Sequence, residues 1–246
     1  MDPVRGRRED IDWTGHGSPS RVCHDPVMDV DEYWGLVERS GRETRTKEDR
    51  AGWLVERLSE LSVEEILDYD AWHTRAENRA CTWDVYVVCS SITGFGSYNG
   101  FEYFVQWLIS FGRDAYEELV ECPDKIVELP HVQRLRWLTR TYSHERTSWS
   151  RDGGFRLDRQ TCTRLQKWPD EEWPEFELLG YVAHQAYDEA GGSDNSYMEG
   201  FRDRGVEPRF PFCGYEEEPE GEAWDFEDPA EFVRRLPRTA YQYHGG

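Results

Sequence analysis

The stretch GFEYFVQWLISFGRDAYEELVE, residues 100–121, decides the fold class. Phe101, Phe104, Val105, Trp107, Leu108, Ile109 and Phe111 cover most of the circumference of a helix when wound at 3.6 residues per turn. A helix that is apolar nearly all round belongs in the centre of a core. Asn99 is placed to cap it with Glu102 at the third helical position, and Gly112 bends or interrupts it before residues 113–120 continue.

Upstream, Asp29 with Glu32 and Ser62 with Glu65 each fit a capping box, in which two residues satisfy one another's free amides. Tyr33, Trp34 and Val37 follow the first box, and Ile66, Leu67 and Tyr69 the second. Between them Ala51, Leu54, Val55, Leu58 and Leu61 form another helical stripe. Three helices in close succession predict antiparallel packing through short loops. TWDVYVVCSSITG (82–94) is ambiguous, since its β-branched residues favour a strand while its length and helical surroundings favour a buried helix. Helix is the expectation. FELLGYVAHQAYDEAG (176–191) predicts a further helix stopped by Gly191 and Gly192.

The fold class is therefore mainly α: a compact multi-helix domain over 28–246, with a long irregular insert and an acidic, loop-rich C-terminal part. Residues 1–27 mix Arg, Asp, Gly, Pro and Ser without periodicity and are expected to be a disordered or loosely packed arm, with Trp13 docking at most locally. The closing residues are expected to return to the core through Phe232, Leu236 and Tyr241.

Charge is uneven. The chain carries 29 Lys and Arg against 50 Asp and Glu, a formal −21, which opposes nucleic-acid backbone and membrane surface alike. Residues 131–168 reverse the balance, with nine basic residues against three acidic ones and aromatic residues interleaved. Residues 215–231 hold nine carboxylates and no cation. Six cysteines without a C-x-x-C pair, no apolar run after the first arginines and no membrane-length apolar stretch lead to an expectation of free thiols in the cytoplasm.

MDVDEYWGLVERS (28–40), ERLSELSVEEILDYD (56–70), residues 82–124, LLGYVAHQAYDEAGG (178–192) and GEAWDFED (221–228) resemble the bacterial domain of unknown function 4240 family. The resemblance implies a compact helical domain and no assigned activity. Members usually carry Ser-Asp-Asp-Gly before the central helix. Here the run is Ser97-Tyr98-Asn99-Gly100, so a role for that carboxylate pair, metal binding included, is not carried over. The basic segment, extended to 131–175, looks like an insertion relative to typical members.

Two site hypotheses follow. A polar pocket beside the 94–102 loop would use Asp84, Tyr98, Asn99, Glu102, Gln106 and Arg113, with Glu102 as base and Arg113 as anion clamp. Against it, the same stripe is the solvated side of a buried helix, and Asp84 beside Trp83 is a structural anchor. An interaction surface would use Arg134, Arg136, Trp137, Arg140, Tyr142, Trp149 and Arg151, because interleaved Arg and aromatic groups suit phosphates, stacked bases or an acidic peptide. Against it, the basic segment can pack on the chain's own acid. Seven scattered histidines offer no metal-ligand spacing, and neither a P-loop nor a G-x-S-x-G elbow occurs, so no metal or cofactor is expected. The leading expectation is a non-catalytic module binding a protein or peptide, in an immunity-like or biosynthetic accessory role. The alternative is an enzyme acting on a small or peptidic substrate beside the 94–102 loop. Nothing in the sequence bears on oligomeric state.

Overall fold

Residues 27–94, 97–138, 144–149, 155–160, 170–209 and 218–243 are described by a computed structural model. The three N-terminal helices are α1 (Val30–Glu43), α2 (Lys47–Ser59) and α3 (Val63–Ala80). Both capping boxes form: Asp29 accepts from the amide of Glu32 and Ser62 from that of Glu65, each with the reciprocal bond. The ambiguous segment is helix α4 (Trp83–Thr93). Thr82 caps its start, and Gly94, at φ 73°, ends it in the left-handed region where a side chain would be strained. Its Val85, Val87, Val88 and Cys89 are all buried, so β-branched content reflects burial here and not a strand.

The central stretch splits into α5 (Tyr98–Ile109) and α6 (Arg113–Glu121). Ser97, and not Asn99, caps α5, accepting from the amide of Gly100 at 3.1 Å. Asn99 lies inside the first turn and is exposed, because the helix begins one residue before it. Gly112 makes the break at φ 88°, and a Cβ there would sit 2.8 Å from Cγ of Glu38. Phe101, Phe104, Val105, Leu108 and Ile109 are buried, which puts α5 at the centre of the core. A 3₁₀ turn (Pro123–Glu128) leads to α7 (Pro130–Leu138).

The basic segment is less irregular than its composition suggests. It opens with α7 and continues as an antiparallel hairpin, β1 (His144–Trp149) on β2 (Phe155–Gln160), with His144 opposite Gln160 and Trp149 opposite Phe155. Short 3₁₀ turns at Asp170–Glu172 and Glu177–Tyr181 precede α8 (Val182–Glu189), which packs against α2 and α3. Then come α9 (Asp194–Asp203), α10 (Pro229–Arg235) and α11 (Pro237–Tyr243), so helices punctuate the acidic C-terminal part. Phe232 and Leu236 are buried as expected, but Tyr241 is 78% exposed. The last turn packs through Ala240 and Tyr243 instead, since those positions share the inward face of α11.

Residues 1–26, Trp13 among them, and residues 210–217 lie outside the described residues. Among the described cysteines, Cys81 and Cys89 are buried thiols and Cys122 is a half-buried one. Among the described residues no helix is long and apolar enough to cross a membrane.

Candidate functional site

Two polar assemblies stand out against this core, one closed and one open. The closed one joins α1, α3 and α5. Tyr33 donates its hydroxyl proton to Nδ1 of His73 at 3.0 Å, and Nε2 of that ring donates to Oε1 of Gln106 at 2.7 Å. The amide nitrogen of Gln106 in turn donates to Glu77. The order fixes the tautomer: a phenol proton on Nδ1 leaves the imidazole proton on Nε2. Burial drives His73 down to about 4, so its ring is neutral near pH 7, and raises Glu77 well above its ordinary value. A buried hydrogen-bonded chain of this kind ties helices together and fixes their register.

A separate pair of carboxylates fastens α9 and the residues just before α1 to α3. Asp68 accepts from the amides of Val27 at 2.5 Å and Met28 at 3.1 Å, and from Nε of Arg204 at 2.8 Å. Next to it, Asp70 accepts from the Tyr197 hydroxyl at 2.6 Å. Burial raises Asp70 to about 6 although that hydrogen bond, His184 and Arg204 all pull it down.

The open assembly is a cleft of about 490 Å³ between the end of α1, the start of α2, α5 and the strap 170–176. Trp107, Phe111, Phe176 and His131 supply aromatic lining, while Arg42, Arg45, Lys47 and Arg50 supply four cations against Glu38 and Glu171. Arg50 is half-buried. Its Nε donates to Oγ of Ser40 at 2.8 Å, and one Nη donates to the carbonyls of Val37 and Ser110, each at 2.8 Å. Its guanidinium lies over the Phe176 ring at 5.9 Å, and a Cβ on Gly41 would meet the guanidinium carbon at 3.2 Å. Among the described residues no carboxylate pairs with Arg50 and nothing accepts from its Nη1. Desolvation lowers its pKa, yet a guanidinium starts so high that it stays charged. A fixed, charged guanidinium in an aromatic-walled cleft has the chemistry to hold a carboxylate or a similar oxyanion.

Of the six residues expected around the 94–102 loop, Asp84, Gln106 and Arg113 each have partners of their own in the described fold. Gln106 is in the closed chain, and Glu102 is half-buried, its acidity weakened by burial and by Glu177. Asp84 accepts from the indole of Trp224 at 2.9 Å, tying α4 to the C-terminal part. Arg113 lies beyond the break at Gly112, off the stripe that a continuous helix would give, and pairs with Asp31 at 2.5 Å and Glu117 at 2.9 Å. Asn99 is exposed, and of Tyr98 only its place in the first turn of α5 is described.

Of the basic set, Arg134 pairs with Glu172 at 2.7 Å. Arg136 donates to the carbonyl of Gln242 at 2.8 Å and stacks over Tyr243 at 5.4 Å. Both therefore bind within the chain, to the strap and to α11. Trp137 lies in α7 and Trp149 ends β1, while Arg140, Tyr142 and Arg151 lie outside the described residues. The described acid of the 215–231 segment meets other arginines: Glu220 pairs with Arg209, and Glu222 with Arg235 at 2.5 Å.

The cleft was not foreseen. One local signal exists, since RETRTKEDR (42–50) places four cations in nine residues of an acidic chain. Its aromatic walls come from residues 60 to 130 positions away and leave no local trace. Among the described residues no group of three or more His, Cys, Asp or Glu is arranged to hold a metal ion.

No curated protein matches the chain, and no solved structure does. A family model, described as a protein of unknown function (DUF4240), matches residues 28–150. That span takes in α1 through α7 and β1, so residues 131–150, expected to be part of an insertion, fall inside the matched segment. With the capped helices, the central α5 and half of the sequence inside that match, the chain belongs to the domain of unknown function 4240 family.

Proposed function

We propose that this chain is a binding module that holds a short acidic peptide segment of a partner protein in the cleft between α1, α2 and α5. The observation that carries the proposal is Arg50: a guanidinium fixed by three neutral acceptors, without a carboxylate among the described residues, facing a space lined by Trp107, Phe111 and Phe176. Aromatic walls bury the stems and apolar side chains of a peptide, while Arg45 and Arg42 at the rim meet its charges. The −21 of the whole chain favours a short segment over a long polyanion such as nucleic acid, because repulsion grows with the charge brought close. An accessory or immunity-like role in a bacterium is compatible with such a module.

The test uses a fluorescein-labelled twelve-residue peptide alternating Glu and Phe, followed by anisotropy. Arg45→Glu reverses an exposed rim charge without touching the core, and is expected to weaken binding about tenfold, equivalent to about 1.4 kcal/mol. Raising salt should weaken the wild-type complex, since the rim charges are exposed to screening. Equal affinities for wild type and Arg45→Glu, or equal binding of a peptide with Lys replacing Glu, would contradict the proposal.

A further inference from the structure

The cleft already contains a carboxylate of its own. Both oxygens of Glu171 lie on the backbone nitrogen of Lys47, at 3.1 and 3.0 Å. Lys47 is the first residue of α2, so this N–H has no acceptor inside the helix, and the positive end of the helix dipole favours an anion there. Thr46, the cap, uses its hydroxyl oxygen on the amide of Asp49 at 3.0 Å and leaves the Lys47 amide to Glu171. Neighbouring ties hold the same strap: Nζ of Lys47 donates to the carbonyl of Trp173 at 2.6 Å, and Arg134 pairs with Glu172. These ties are polar and lie at or near the surface, where each contributes little. The strap's fixed end begins at Pro174, which is buried, and continues to Phe176, also buried, whose amide donates to the carbonyl of Tyr103 at 2.9 Å.

We infer that Glu171 is an internal competitor for the cleft: a partner's carboxylate takes its seat on the Lys47 amide, and residues 170–173 lift as the partner enters. The inference rests on the proposed acidic-peptide reading and adds the regulation of that site. A two-oxygen contact to one N–H suits a planar carboxylate, which makes Asp or Glu side chains the ligand groups for this seat. A tethered competitor acts at a high effective concentration, so it lowers apparent affinity without any outside ligand. Binding is thereby coupled to the strap, which α7 grips through Arg134 and which the β1–β2 hairpin precedes in the chain.

The same labelled peptide tests this on the full chain. Glu171 is exposed, so Glu171→Ala and Glu171→Gln keep the fold, which circular dichroism checks. Both are expected to bind the peptide about fivefold more tightly than wild type. Removing any nearby negative charge also helps an anionic ligand, so Glu48→Gln on the same first turn serves as the charge control and is expected to change affinity less than about twofold. If Glu171→Gln gains no more than Glu48→Gln while Arg45→Glu still weakens binding about tenfold, the competitor is overturned and the cleft stands. If neither wild type nor the Glu171 variants bind, both the competitor and the cleft are overturned.

Discussion

Replacing Asp68 with Ala is expected to lower the unfolding free energy by about 3–5 kcal/mol, the range for breaking one half of a buried ion pair. Asp68 is 1% exposed and joins three parts of the chain: the amides of Val27 and Met28, α3 itself, and Arg204 from the end of α9. Arg204 keeps Glu64 and the Gly200 carbonyl after the substitution, but its buried Nε loses its acceptor. The two amides lose theirs at the same time, and an orphaned buried donor bears its full desolvation penalty. Thermal denaturation should show a midpoint lower by about 10 °C for a chain of this size. Asp68→Asn preserves shape and one acceptor oxygen, and should fall between wild type and Asp68→Ala. A loss below about 1 kcal/mol for Asp68→Ala would mean that this junction does not hold α9 and the residues just before α1 to α3.

Gln106 carries the second large expectation. Its side chain is the only link between the imidazole of His73 and the carboxyl of Glu77 in the hydrogen-bond chain described above, and it is 1% exposed. Gln106→Ala removes an acceptor from one buried group and a donor from another while leaving a cavity, and should cost about 2–4 kcal/mol. Glu77→Gln should cost less than about 1 kcal/mol, because burial favours the uncharged form of the carboxyl it replaces. The two variants separate a structural chain of neutral groups from one that depends on a charged Glu77.

The pH dependence gives the same distinction. Glu77 keeps its proton in the folded state and releases it in the unfolded state near the ordinary carboxylate value of 4.5. Between that value and its raised folded value the folded state binds more protons, so stability falls as pH rises through this window. Asp70, raised to about 6, adds a fall of the same sign ending near pH 6. His73, lowered from 6.5 to about 4, opposes this fall below pH 6.5 because the unfolded ring takes up the proton. Relative to wild type, Glu77→Gln should therefore gain stability as pH rises from 5 to 7 in urea denaturation. An unchanged slope in Glu77→Gln would mean that Glu77 ionises normally in the folded chain.

Much of this fold is legible in the sequence, and the reasons differ by element. Helices α1 and α3 announce themselves through capping boxes, whose two residues lie three apart and need no tertiary information. The Gly112 break is legible because a positive φ within an apolar run favours glycine. The cap of α5 was misplaced because Ser97 and Asn99 are both capable caps, and only the amide that each can reach decides between them. That break also separates Arg113, at the start of α6, from Glu102 and Gln106 on α5. The closed chain escaped notice for a different reason. His73 and Glu77 are spaced four apart like any surface ion pair, and nothing local says that Tyr33 and Gln106 close around them. The cleft is less legible still, since Lys47, Trp107, His131 and Glu171 meet only through tertiary packing.

Hydrogen exchange on the full chain, with and without the Glu-Phe peptide, tests the central claim most directly. Peptide in the cleft should slow exchange at the first turn of α2, residues 47–49, and at residues 110–112, while speeding it in the strap at 171–173. Slowing confined to the hairpin strands 144–149 and 155–160, with the start of α2 unchanged, would contradict the cleft as the binding site.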